Sequence, residues 1–149
     1  MSEVYKGFSI ILVEDDLVDV MSIRRAFDKN KIQNPVIVLR DGLEALEYLK
    51  KGSLDGRGWN HQPPGLIILD LNLPRMNGYE LLEELKKDYR LKTIPVVVLS
   101  TSDDQSDINT CFQGGAAGYM IKPVQFDRLV DTLAAVDRYW NTSRMPEGI

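Results

Sequence analysis

Four short polar clusters could do chemistry in this chain, and each stands directly behind an apolar, β-branched run: Glu14-Asp15-Asp16, Asp70, Ser100-Thr101-Ser102 and Lys122-Pro123. If those runs are strands of one parallel sheet, the clusters meet in the crevice beyond the carboxyl ends, where open α/β sheets bind ligands. Glu14, Asp15 and Asp70 would bring three carboxylates there, Lys122 one ammonium and Ser100 one hydroxyl. Like charges at close range raise the pKa of at least one carboxyl, and a divalent cation relieves them most directly. Oxygen donors without imidazole or thiolate select Mg²⁺, with Mn²⁺ or Ca²⁺ as substitutes. Mg²⁺ keeps several waters and leaves a position for a phosphate oxygen. The chemistry predicted is a metal-plus-phosphoryl site.

Each residue alone has a plainer reading. Asp16 suits the N-cap of the first helix better than a metal. Lys122 could be a surface lysine snorkelling past the sheet edge, and Ser100 could satisfy a neighbouring backbone group. The joint placement on four strand ends is what points to a site.

The elements that must position these residues are legible in the pattern. Short apolar runs at 8–13, 35–39, 66–69, 95–99 and 118–121 alternate with segments of helical period, which predicts an α/β domain with a parallel sheet covered on both faces. Val20, Ile23 and Phe27 form one helical stripe. Leu46 with Leu49, Leu81 with Leu82 and Leu85, and Ile108 with Phe112 form others, and the last runs through Phe126, Leu129, Leu133, Val136 and Trp140. Asp41 with Glu44, Asn77 with Glu80, and Ser102 with Gln105 have capping-box spacing, and Gly114-Gly115 suits a helix C-terminus. The stretch 51–65 lacks a period and reads as a long loop. His61 within it has no second ligand at metal spacing and is given no role.

Composition bounds the rest. The chain has 149 residues, 44% hydrophobic and 27% charged, which suits one globular domain with a core at about 8–141, a polar tail at 142–149 and no output domain. One cysteine, Cys111, excludes an internal disulfide framework. The apolar runs are too short to cross a bilayer, and no signal-peptide pattern is present, so a cytoplasmic location is expected and no membrane is involved. With 18 basic and 22 acidic residues and no basic stripe, the footprint of nucleic-acid binding is missing. A protein partner is expected.

These residues resemble the receiver domains of two-component response regulators. The resemblance runs from about Ser9 to Trp140 and rests on Glu14-Asp15, LIILDLNLPRMNGYELL around Asp70, IPVVVLSTS, GAAGYMIKP and the helix opening Asp41-Gly42-Leu43-Glu44-Ala45-Leu46. It implies a doubly wound, flavodoxin-like five-stranded parallel sheet of order 2-1-3-4-5. It also implies that Asp70 accepts a phosphoryl group from a phosphohistidine of a sensor histidine kinase. Glu14, Asp15, Asp70 and the backbone carbonyl of Asn72 would hold Mg²⁺. Lys122, Ser100, Thr101 and Tyr119 would form the phosphoryl-binding and switch set, with Lys122 on the phosphoryl oxygens, Ser100 moving to the phosphate and Tyr119 turning inward. Lys122-Pro123 would be a cis bond. Such a protein is a switch that assists its own phosphorylation and dephosphorylation, not a turnover enzyme.

A closer resemblance is to the stand-alone response regulators of cyanobacterial phytochromes, carried by DLNLP, IPVVVLSTS and the pair Tyr139-Trp140. It implies a light-sensing phytochrome kinase upstream. It also implies a homodimer through helix 4, strand 5 and helix 5, on a face including Ile108, Cys111, Phe112 and Tyr119. Two departures stand out: Ser100 replaces the commoner threonine, and helix 4 opens with Asp103, Asp104 and Asp107.

Three other functions stay in view. A flavin carrier of this topology needs a phosphate-cradling loop where Glu14-Asp15-Asp16 would repel the phosphate. A hydrolase working through an aspartyl phosphate wants a second acid where Asn72 stands. A receiver used only for docking, without phosphorylation, is the remaining alternative.

Overall fold

Strands buried on both faces can be apolar at every position, and the five such runs build one sheet. In the computed structural model, which describes residues 7–55 and 62–143, β1 (Ser9–Val13), α1 (Leu17–Lys29), β2 (Val36–Leu39), α2 (Gly42–Asp55) and β3 (Pro64–Leu69) come first. Then come α3 (Gly78–Lys87), β4 (Val96–Ser100), α4 (Gln105–Gln113), β5 (Gly118–Ile121) and α5 (Phe126–Thr142). All pairings are parallel and the order is β2-β1-β3-β4-β5. This is the doubly wound sheet expected above.

The two-residue period of a strand divides the core into two layers. Ile11, Val13, Ile67, Leu69, Val96 and Val98 face α2, α3 and α4, meeting Leu46, Leu49, Leu81, Leu85 and Cys111. Ile10, Leu12, Leu66, Ile68, Val97 and Leu99 face the other way, against Val20, Ile23 and Phe27 of α1 and Leu129, Leu133 and Val136 of α5. Both faces are covered, which explains why neither alternates with polar residues.

Helix starts aim the loops at the carboxyl edge. Asp16 caps α1, its Oδ1 accepting from the Val18 and Asp19 N–H groups at 2.8 and 3.2 Å. Asn77 and Glu80 form the full reciprocal box on α3. Asp41 accepts from Glu44 N–H at 2.8 Å, but the Glu44 carboxylate returns to Arg40 N–H rather than to Asp41. The box expected at Ser102 and Gln105 does not form. Asp104 caps α4 through Ser106 N–H at 2.9 Å, because the acidic run puts a better acceptor two residues closer to the helix.

Glycine is required where α3 meets β3. A Cβ on Gly78 would lie 2.5 Å from the Asp70 carbonyl oxygen and 2.7 Å from the Leu71 Cα, so only glycine lets the helix start close against the end of the strand. Other boundaries shift. Residues 51–55, expected in a loop, extend α2. Gln62 to Gly65 lie among the described residues and lead into or begin β3, while 56–61, His61 included, lie outside them. Thr142, expected in the tail, closes α5, and 144–149 also lie outside the described residues.

Candidate functional site

Backbone hydrogen bonds place the first residue beyond each strand. Glu14 N–H donates to the Leu39 carbonyl at 3.0 Å, Asp70 N–H to the Val13 carbonyl at 3.0 Å, and Lys122 N–H to the Ser100 carbonyl at 2.7 Å. Each polar residue is therefore locked to the end of a neighbouring strand, and the side chains converge. Glu14 is 2% exposed, Asp70 8% and Ser100 1%. Lys122 Nζ lies 2.8 Å from Glu14 Oε1, 2.9 Å from Asp19 Oδ2 and 3.9 Å from Asp70 Oδ1.

Asp19 is the member that sequence reasoning missed. With Asp16 as N-cap, Asp19 falls at the third helical position, where the first turn of α1 overhangs the end of β1. An acid three residues after a cap that itself follows a strand-end carboxylate is the signal that could have found it.

The electrostatics follow from burial. Burial pushes the Glu14 carboxyl up to about 7, the Asp70 charge adds to this, and the bonds from Lys122 and from Asp16 N–H work against it. Burial also works against the Lys122 ammonium. Its bonds to Glu14 and Asp19 and the charges of Asp70 and Glu14 outweigh that and hold its pKa above the ordinary lysine value. The crevice thus carries carboxylate charge that one ammonium only partly balances.

The metal expectation is met in donor chemistry but not in resting geometry. Among the described residues, no three His, Cys, Asp or Glu side chains come together as a metal cluster. Asp15 and Asn72 are exposed, and it is the Lys122 ammonium that lies against Glu14, at 2.8 Å. This does not fit a closed protein cage. It does fit a hard cation such as Mg²⁺, which takes one or two carboxylates and completes its shell with carbonyl oxygen and water.

Beside this cluster, Ser100 Oγ accepts from Ser102 N–H at 3.2 Å, and the half-buried Tyr119 donates its hydroxyl to the Ser102 carbonyl at 2.8 Å. Thr101 is exposed. On the opposite rim, Arg75 pairs with Asp41 at 2.9 Å, tying the β3–α3 loop to the start of α2.

Two expectations are corrected. No cis peptide bond occurs among the described residues, so Lys122-Pro123 is trans, the lower-energy isomer of an X–Pro amide by about 0.5–1 kcal/mol. Cys111 does not belong to an outer face. It is wholly buried in the core on the α3 side, because it takes the sheet-facing position on α4. Phe112, the next residue, is 49% exposed, and Ile108 is half-buried.

Comparison with known proteins gives consistent results. Residues 10–134 match the family model described as the response regulator receiver domain. The chain is 38% identical over 133 residues to the probable methanogenesis regulatory protein FilR2 of Methanothrix harundinacea, covering 89% of this chain and 83% of that protein. It is 35% identical over 131 residues to the response regulator Rcp1 of Synechocystis, covering 88% and 87%. Among solved structures, the phosphorylated cyanobacterial phytochrome response regulator RcpA superposes with a TM-score of 0.83 at 36% identity, over 95% of this chain and 99% of that one. The Mn²⁺-bound form of Rcp1 superposes with a TM-score of 0.80 at 34% identity, over 93% and 99%.

Proposed function

The chain belongs to the response regulator receiver family, and from that premise we propose that it accepts a phosphoryl group on Asp70 from a phosphohistidine of a sensor histidine kinase. The observation that carries this is the buried Asp70 carboxylate with the Lys122 ammonium 3.9 Å away. Lys122 has three N–H donors. Two are used on Glu14 and Asp19, which leaves one to meet an oxygen arriving on Asp70.

In the transfer, a carboxylate oxygen of Asp70 attacks phosphorus in line, the P–N bond to the donor imidazole breaks, and its electron pair stays on the imidazole nitrogen. Phosphoryl transfer asks mainly for positioning and charge neutralisation. Lys122 neutralises one phosphoryl oxygen, and the Ser100 hydroxyl can turn to donate to another. Glu14, Asp15, the Asp70 carboxylate and the Asn72 carbonyl would hold Mg²⁺, with Mn²⁺ or Ca²⁺ as substitutes. When bound, it supplies charge neutralisation at the carboxylate and phosphoryl oxygens. Rcp1, whose structure is described as Mn²⁺-bound, supports this reading, as does RcpA, described as phosphorylated.

The added charge, about -1.5 to -2, biases β4 and α4 between two packings, and partners read the result. Likeness to phytochrome response regulators makes a phytochrome the kinase we propose. Leu17, Val18 and Met21 of α1 and Val124 after β5 are exposed apolar residues near the crevice, and a kinase presenting its phosphohistidine to Asp70 would cover them. For the second partner, a further copy of this chain, we propose the α4–β5–α5 face with Phe112, Ile121 and Tyr139 exposed. The whole reading places the protein in the cytoplasm.

Intact mass after incubation with a small acyl phosphate, with and without Mg²⁺, tests the central step. One phosphoryl adduct that needs Mg²⁺ and is absent from Asp70→Asn is expected. No adduct under any condition would favour the docking-only receiver.

A further inference from the structure

We propose that Ser102, Asp107 and Tyr79 form a clasp that holds Ser100 and Tyr119 in their resting positions and ties both to the start of α4. The inference rests on the reading of Ser100 as a group that moves toward a phosphoryl on Asp70. Ser102 is the knot. Its N–H donates to Ser100 Oγ at 3.2 Å, and its carbonyl accepts from the Tyr119 hydroxyl at 2.8 Å. Its own Oγ donates to Asp107 Oδ2 at 2.6 Å and accepts from Asp104 N–H at 3.2 Å. The hydroxyl of Tyr79 on α3 stands close enough to interact with the Asp107 carboxylate.

Every polar group of Ser102 is therefore engaged, and its partners lie on three elements, with Tyr79 of a fourth beside Asp107. Ser100 ends β4, Tyr119 sits on β5, Asp104 and Asp107 belong to the cap and first turn of α4, and Tyr79 follows the glycine that touches the Asp70 backbone. Ser100 cannot carry its hydroxyl toward Asp70 without drawing it off the Ser102 N–H. Tyr119 cannot turn inward without leaving the Ser102 carbonyl. The bond from Ser102 Oγ to Asp107 anchors their common point to α4, so it opposes both movements. Asp107 acts here as a positioning residue. It biases the equilibrium between the two packings toward the resting one.

Asp107→Ala removes the acceptor, and Asp107→Asn keeps an acceptor while removing the charge. In the metal-free protein, amide hydrogen exchange at Ser102 and Asp104 should rise about tenfold in Asp107→Ala and stay close to wild type in Asp107→Asn. The Mg²⁺-dependent rate of phosphoryl adduct formation from a small acyl phosphate should rise at least about threefold in Asp107→Ala, again with rescue in Asp107→Asn. Tyr79→Phe, which keeps the ring and loses only the hydroxyl, should move both readouts the same way by less, and it carries the test if alanine unsettles the fold. Equal acceleration in Ala and Asn would assign the effect to charge and overturn the clasp. So would unchanged exchange in Ala and Phe, or loosened amides with an unchanged adduct rate. A wild type that forms no adduct would sink the phosphoacceptor reading instead, and the exchange data would still decide whether the clasp holds the loop.

Discussion

Lys122 divides its donors between Glu14 and Asp19 while standing beside Asp70, so its removal acts on charge and on stability in different ways. Lys122→Met should slow adduct formation by about a hundredfold or more, the scale seen when one preorganised donor to developing charge is lost. Removing one partner of a buried ion pair usually costs about 3–5 kcal/mol. Here the cost should be smaller at neutral pH, because burial already pushes Glu14 to about 7 and the orphaned carboxyl can keep a proton. Urea unfolding of the variant against wild type measures this, and a full buried-charge penalty at pH 6 would contradict it. Glu14, Asp70, Ser100 and Lys122 were legible in the sequence because each is the polar residue that ends or follows an apolar run. Asp19 was not, because its role depends on how the first turn of α1 lies over the sheet edge. The isomer at Pro123 was also beyond reach, since sequence carries no mark that separates cis from trans.

The elements were legible for the reason that makes the sheet stable. Strands covered on both faces leave unbroken apolar runs, and all five were found within two residues. β3 starts earlier than expected because Pro64 and Gly65, which carry no hydrophobic pattern, extend it toward Ser9. The Ser102–Gln105 box failed because several short acceptors compete within Ser102-Asp103-Asp104, and spacing alone does not choose among them. At this scale two predictions follow from geometry. Gly78→Ala should destabilise by about 1–3 kcal/mol, since the added Cβ meets backbone at Asp70 and Leu71 rather than a side chain that could turn away. A thermal midpoint equal to wild type would refute the close approach. Asp41 accepts from Glu44 N–H at the start of α2 and is paired with Arg75, which together hold its carboxyl below the usual carboxylate value. A depressed folded-state pKa means stability that is fully present above the unfolded value of about 3.9 and is lost as pH falls below it. Asp41→Asn should therefore be less stable than wild type at pH 6, by about 0.2–1 kcal/mol as for a surface pair, and the gap should narrow as pH falls below the unfolded carboxyl value and through the lower folded one. A gap that widens on acidification would reverse the sign and reject the account.

Across the whole molecule, the carboxyl edge of the sheet gathers the charged site, and among the described residues the exposed large apolar side chains other than Tyr89 and Val124 lie on α1 and on the α4–β5–α5 face. Light scattering on an eluting peak at tens of micromolar should show a dimer that Phe112→Asp and Tyr139→Asp weaken. A monomer with and without phosphorylation would dismiss that interface. Cys111, buried behind Phe112, should stay unreactive to a bulky thiol reagent in either state. The most direct measurement of the central claim is reduction of the phosphorylated protein with borohydride, which converts an aspartyl phosphate to homoserine, followed by peptide mapping. Conversion at residue 70 alone, dependent on Mg²⁺, is the predicted result. Conversion at another carboxylate, or none in a protein carrying the phosphoryl mass, would contradict it.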